Sequence, residues 1–214
     1  MTVEQCNGNC MLQRGTYYEA MMISLPITSL ENDRARLEPL AEAHREELRT
    51  ACNADADIWE IYPYSMADPH FDKYWQNAMQ WQAEGARQIY AVIVDSVTIG
   101  TSSYYTLPDL PTDSVSIGGT YYAPTFRGGT VNPACKLLMM AHAFANGMNQ
   151  VYYHVDTRNQ RSQAAVLKLG AKRTRVIKKD RTTWTGYLRD SAEFVIAQAD
   201  WPTVRAGLAK RLQG

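Results

Sequence analysis

Ile117-Gly118-Gly119-Thr120-Tyr121-Tyr122-Ala123-Pro124-Thr125-Phe126-Arg127-Gly128-Gly129-Thr130-Val131-Asn132-Pro133-Ala134-Cys135-Lys136-Leu137-Leu138 is the stretch on which the reading of this chain turns. A β-branched and aromatic run gives way to Arg-Gly-Gly-Thr, and Asn-Pro then opens a helix expected over 133–146. Asn132 suits the N-cap, and Pro133 suits the first helical position because its missing N–H has no intrahelical use there. Gly128 and Gly129 let the backbone pass close to a ligand. The result is a turn of free N–H groups at the positive end of a helix beside Arg127, which is the chemistry of a phosphate site. No Asp or Glu occurs from Ser114 to Val155. A Gly-Gly pair alone also fits a plain tight connection; its place between a strand and a helix start is what points to a ligand.

Outward from this turn, 88–94, 98–106 and 114–122 are β-branched and aromatic runs that read as an antiparallel meander. Downstream come a strand at 151–155, a helix at 159–169 with Gly170 past its end, a strand at 173–179, a long strand at 183–196 crossed by Gly186, and a final helix at 200–212. Upstream, 34–40 alternates as a strand and 41–53 is an amphipathic helix. An aromatic segment at 58–65 is broken by Pro63, and a helix at 71–84 is opened by Asp68-Pro69. Residues 1–29 read as an N-terminal extension with mobile ends, and 30–214 as a single domain. The fold class expected is α+β, a mixed and mostly antiparallel sheet flanked by helices.

The 214 residues carry 22 Lys and Arg against 22 Asp and Glu, so nothing draws the whole chain to nucleic acid or membrane and an anion site must be local. Cys6, Cys10, Cys52 and Cys135 make no disulfide framework in a chain this size, and Cys6 and Cys10 have no downstream Cys/His pair, so no metal is expected. No signal or membrane-spanning pattern is present, which makes the cytoplasm the default. The basic run Lys172-Arg173 to Arg181 is the one hint of nucleic acid. It alternates like a solvated strand face and lacks interleaved aromatics, so such a partner is not expected.

A second constellation lies at Asp156-Thr157-Arg158-Asn159-Gln160-Arg161-Ser162. Asn159 as a helix cap and Ser162 in the first turn are sufficient structural roles. If the strand before them lies beside 114–122, however, both helix N-termini approach one cleft. Trp59, Tyr62, Tyr64 and Tyr104-Tyr105 fit either an aromatic acceptor pocket or helix-to-sheet packing. His154, alone on its strand, reads as satisfied core.

These segments, together with Arg36-Leu37-Glu38-Pro39-Leu40, Ile58-Trp59, Tyr62-Pro63, Leu169-Gly170-Ala171, Arg189-Asp190-Ser191 and Asp200-Trp201-Pro202, resemble the GNAT acetyltransferases over 32–212. Within that family they are similar to the branch of ribosomal-protein N-terminal acetyltransferases. The resemblance implies a GNAT fold whose strands 114–122 and 151–155 splay to admit the pantetheine arm of acetyl-CoA. Cofactor contacts are implied at Tyr121, Tyr122, Arg127, Gly128, Gly129, Thr130, Val131, Asn132, Asn159 and Arg161. The family pattern places small residues at the fourth and sixth positions of the phosphate turn. Here Thr130 and Asn132 stand there, with the glycines earlier.

The implied chemistry is direct attack of an unprotonated amine on the thioester, with backbone donors for the oxyanion. A Tyr acid used by many relatives is absent from 159–169, which leaves Ser162 as the hydroxyl near sulfur. Asp190 and Glu60 are the candidate bases, Asp190 also fitting an ion-paired scaffold. Trp59, Tyr62 and Tyr104 are the implied acceptor contacts. The acceptor is a protein N-terminus or a small-molecule amine. A non-catalytic acetyl-CoA-binding sensor or scaffold is the rival reading, and assembly is open, a homodimer included.

Overall fold

A computed structural model describes residues 23–213 of the chain. It runs β1 (Leu30–Asn32), β2 (Ala35–Pro39), α1 (Arg45–Asn53), α2 (Phe71–Ala83), β3 (Arg87–Val94), β4 (Val97–Tyr105), β5 (Ser114–Tyr122), α3 (Val131–Ala145), β6 (Gln150–Asp156), α4 (Gln160–Lys168), β7 (Lys172–Thr182), β8 (Leu188–Ala197) and α5 (Trp201–Gln213). The strands form one eight-stranded sheet in the order β1-β2-β3-β4-β5-β6-β8-β7. Every pairing is antiparallel except β5 with β6.

That exception positions the site. β5 and β6 pair only at Ser114↔Gln150, Val115↔Val151 and Ser116↔Tyr152, and then part. β6 stays paired with β8 along its whole length, so β5 is the strand that leaves. Its register against β4 slips between Thr101 and Ser103, where one residue of β4 faces two of β5. Gly119 sits in this bulge at φ 58, a left-handed value that favours glycine. A bulge bends its strand and raises its twist, which turns the end of β5 away from β6.

Helices cover both faces. Leu48, Trp59, Phe71, Trp75 and Tyr121 build one core with α1 and α2. Tyr104, Tyr122, Met139, Phe144 and Phe194 build the other with α3 and α5. Strand alternation sends neighbouring side chains to opposite cores, as for Tyr121 and Tyr122.

Several expectations need correction. Most of the predicted extension, 1–29, with Cys6 and Cys10, lies outside the described residues. Its last part is packed: Leu25 is buried and its carbonyl accepts from Gln88 Nε2 at 2.6 Å. The long strand over 183–196 is instead the end of a hairpin. Thr183 N donates to Tyr187 O at 2.8 Å and Gly186 takes φ 83, so β8 starts only at Leu188. Helix α3 begins at Val131, with Thr130 in the cap position and no side-chain cap. Asn132 is thus inside the first turn, where its Oδ1 accepts from Tyr122 Oη at 3.4 Å. Pro133 is tolerated there because the first four helical N–H groups have no intrahelical partner. Helix α4 follows expectation, since Asn159 Oδ1 accepts from Ser162 N at 2.9 Å. No helix among the described residues is long and apolar enough to cross a membrane.

Candidate active site

The parting of β5 and β6 opens a cleft of about 600 Å³. Arg127, Gly128 and Gly129 from the turn before α3 and Asn132 from its first turn line one end of it, with Asn159, Arg161 and Ser162 from the start of α4. Both helix N-termini therefore reach one space, where their dipoles and the unpaired N–H groups at the start of α3 favour an anion. Gly128 takes φ 83, and a Cβ on it would meet no atom within 4 Å, so backbone conformation and not crowding calls for glycine there.

Arg127 holds the turn in place. Its Nε donates to Tyr122 O at 2.7 Å, a second nitrogen is ion-paired with Asp55, and its guanidinium lies 5.1 Å over the Tyr121 ring. The phosphate-binding capacity of this end rests on the backbone and on exposed Arg161, which has no ion pair among the described residues. Thr130 and Val131 carry the turn into the helix but do not line the cleft. Tyr121 is among the cleft-lining residues, while its Oη donates to Ala51 O at 2.6 Å in the core built with α1 and α2. Ser162 Oγ has no hydrogen-bond partner among the described residues and is a free hydroxyl on the cleft wall.

The other end of the cleft is lined by Tyr62, Tyr64, Arg87, Tyr105, Gly118 and Gly119. Tyr62 Oη donates to Thr120 O at 2.7 Å, Thr101 Oγ1 to Gly119 O at 3.0 Å and Ser103 Oγ to Gly118 O at 2.9 Å. Three hydroxyls thus hold the three carbonyls of the bulge in place. Burial pushes the Tyr62 phenol far above its ordinary pKa, so it stays a donor at any physiological pH.

Four of the expected catalytic and acceptor residues stand elsewhere. Trp59 is fully buried, donates from its indole to Cys52 O at 3.2 Å and packs against Tyr62 and Tyr121, so it supports the cleft wall without facing it. Tyr104 belongs to the α3 core, with Oη donating to Met139 O at 2.6 Å; strand alternation gives its place at the cleft to Tyr105. Asp190 lies outside the cleft, where its carboxylate accepts from Lys178 Nζ at 2.8 Å and Lys179 N at 2.9 Å. Glu60 is exposed and also outside the lining. Asp156 is the one carboxylate of the lining, and Arg158 holds it at 2.8 Å. His154 lines the cleft but is engaged with Glu193 at 3.3 Å; burial lowers its pKa despite that partner.

The residue that sequence reasoning passed over is Lys136. One helical turn beyond Asn132, it is buried under the bulge, with Nζ 3.0 Å from Ser102 Oγ and 2.6 Å from Thr120 Oγ1 and no carboxylate in reach among the described residues. Desolvation pulls its pKa from 10.5 down to about 7. Its position in an otherwise apolar helix face, Ala134-Cys135-Lys136-Leu137-Leu138, was the signal available. Unfolded, this amine holds its proton up to about 10.5; folded, only up to about 7. Below pH 7 both states are protonated and the full cost of burying the charge is present. Between pH 7 and 10.5 the unfolded state binds more protons, so Lys136 makes stability rise with pH. Lys136→Met is expected to stabilise the protein at pH 6 by about 1–4 kcal/mol, the gain seen when buried ionic groups give way to apolar ones. Ser102 Oγ and Thr120 Oγ1, 2.7 Å apart, keep each other as partners. The gain should shrink toward pH 10 in denaturant titrations, and a gain independent of pH would refute the buried charge.

A sheet that opens beside two helix N-termini, with a hydroxyl-braced bulge at the far end, makes an elongated cleft suited to a ligand with an anionic end. A family model of the acetyltransferase (GNAT) domain matches residues 34–172, and the chain belongs to that family, whose acetyl donor is acetyl-CoA. No curated protein sequence matches the chain. Among solved structures, a protein from T. thermophilus assigned as an acetyltransferase is 28% identical, with TM-score 0.78 over 89% of this chain and 100% of its own. Mycobacterium smegmatis RimJ, solved with CoA-disulfide, is 18% identical, with TM-score 0.73 over 86% of this chain and 96% of its own. The microcin C7 self-immunity acetyltransferase MccE, solved with acetyl-CoA and AMP, is 18% identical with TM-score 0.63, over 78% and 93%.

Proposed function

We propose that residues 30–214 form one catalytic domain that transfers the acetyl group of acetyl-CoA to the nitrogen of a primary amine, without an acyl-enzyme. The observation that carries this reading is the convergence of the α3 and α4 N-termini on the space between β5 and β6. The diphosphate is held by N–H groups from Gly128 to Asn132, with Asn159 and Arg161 facing it. The pantetheine arm then runs along β5 and brings the thioester to the Gly119–Thr120 bulge.

The amine first loses its proton to water. No carboxylate in the lining is free to act as a base, and Arg87, Arg181 and Arg189 line the same cleft. Like charge in a partly desolvated site disfavours the ammonium form, so the cleft itself lowers the acceptor pKa. The nitrogen lone pair then attacks the thioester carbonyl, whose oxyanion is met by backbone donors at the bulge. The C–S bond breaks and the thiolate leaves, solvated by Ser162 Oγ, while the proton that attack leaves on the acylated nitrogen passes through water to the departing sulfur. Holding both reactants in line supplies roughly 7–11 kcal/mol of the barrier reduction and one oxyanion donor about 2.7–4 kcal/mol.

The test is thiol release from acetyl-CoA with a mixed amine panel. Ser162→Ala is expected to lower kcat about 10-fold or more while the KM for acetyl-CoA stays near that of the parent. Unchanged kcat would remove Ser162 from the reaction, and cofactor binding without turnover of any amine would leave a sensor.

A further inference from the structure

We infer that the acceptor is a small amine carrying an oxyanion, a carboxylate or phosphate, a few bonds from its nitrogen, and that Arg87 binds that anion. The inference rests on the acetyl-transfer reading above and names its substrate class.

Arg87 opens β3 and projects into the cleft. Its guanidinium carbon lies 4.9 Å from the Trp81 ring centroid, 5.0 Å from that of Tyr105 and 6.0 Å from that of Tyr64. The three rings fix the guanidinium by cation–π contact, which orients it without consuming its N–H donors. Among the described residues it has no hydrogen bond and no ion pair. Other arginines nearby are matched: Arg181 pairs with Asp180 at 2.8 Å and Arg158 with Asp156 at 2.8 Å. Buried Arg189 reaches the same Asp180 at 3.7 Å, so two guanidiniums share one carboxylate. This end of the cleft therefore carries surplus positive charge in a chain of zero formal net charge.

A plain amine meets that surplus as an ammonium and is repelled, whereas an amine bearing its own anion is drawn in and aligned. A guanidinium fork is the group that fits a carboxylate or phosphate through paired N–H donors. The spacing follows from Gly119: a Cβ built there would stand 3.5 Å from Arg87 Nη1, so the guanidinium abuts the bulge where the thioester carbonyl is placed. An anion on Arg87 and a nitrogen at that carbonyl are separated by the reach of an α- or β-amino acid or of a short aminoalkyl phosphate. In a peptide N-terminus the corresponding carbonyl is a neutral amide, which leaves Arg87 without its ligand.

The experiment compares kcat/KM for matched acceptors with the full chain: free L-amino acids against their carboxamides and against dipeptides with the same first residue, and phosphoethanolamine against ethanolamine. The anionic member of the preferred pair should lead by about 10- to 100-fold, the range of a charge-assisted hydrogen-bonded contact. The carboxylate and phosphate arms identify which oxyanion it is. Arg87→Met should erase that lead: the ratio of kcat/KM for the anionic over the neutral member should fall toward one, through a raised KM of the anionic member. Arg87→Gln, a polar replacement for the same place, repeats the test should the methionine variant not fold. Equal or better turnover of neutral amines or dipeptides, or a lead that survives both substitutions, overturns the inference and leaves acetyl transfer standing. Acetyl-CoA binding with no turnover of any member overturns both.

Discussion

Gly119→Val is expected to lower kcat/KM by about 10²-fold, with the protein still folded, because a displacement of about 1 Å at a reacting centre costs that much. Gly119 holds φ 58 inside the β5 bulge, a conformation that a β-branched residue resists. A Cβ there would stand 2.8 Å from Tyr64 Oη and 3.1 Å from Ser103 Oγ. Tyr64 can swing aside; Ser103 cannot without releasing Gly118 O, which it holds at 2.9 Å. The peptide units on either side of Gly119 must then rotate, and they are the donors assigned to the oxyanion. Steady-state kinetics beside a thermal melt decide the matter: near-parental kcat in a folded variant would take the oxyanion site away from the bulge.

Trp59→Ala is expected to destabilise the protein by about 3–5 kcal/mol, the cost of emptying a large aromatic site. The side chain is 0% exposed, with ring centroids 4.6 Å from Tyr121 and 5.0 Å from Tyr62. Removing the indole also orphans Cys52 O. The consequence reaches the cleft, because Tyr62 is the donor that pins Thr120 O. Trp59→Phe should recover much of the loss. Denaturant unfolding reads both variants. A stable Trp59→Ala variant with only a raised acceptor KM would return Trp59 to the acceptor pocket and contradict its buried packing role.

Part of this molecule was legible residue by residue. The meander, the Arg-Gly-Gly-Thr turn and the helices after it were readable because strand alternation and helix periodicity are local. Gly147 and Gly170 adopt left-handed φ values of 87 and 100 where the sequence pattern ends α3 and α4. The cap at Asn159 was readable for the same reason, since its oxygen bonds an amide only three residues on. The cap at Asn132 misled because a short polar side chain before proline has two good uses, and here Tyr122 takes it. The strand across Gly186 misled because a β-branched run on each side hides a turn that glycine permits.

What the chain alone determined is its set of elements and the glycine turn that leads into α3, because these depend on neighbours within a few positions. Only tertiary structure decided which side chains face the cleft. Alternation dictates that Tyr104 and Tyr105 point to opposite faces but not which face is which; pairing with β3 and the bulge in β5 choose. The same choice buries Lys136 beneath Thr120 and sets Arg87, Trp81 and Tyr64 around one point, although these four belong to four separate segments. Their chemistry comes from desolvation and proximity across the sheet, and neither quantity is a property of any stretch of sequence.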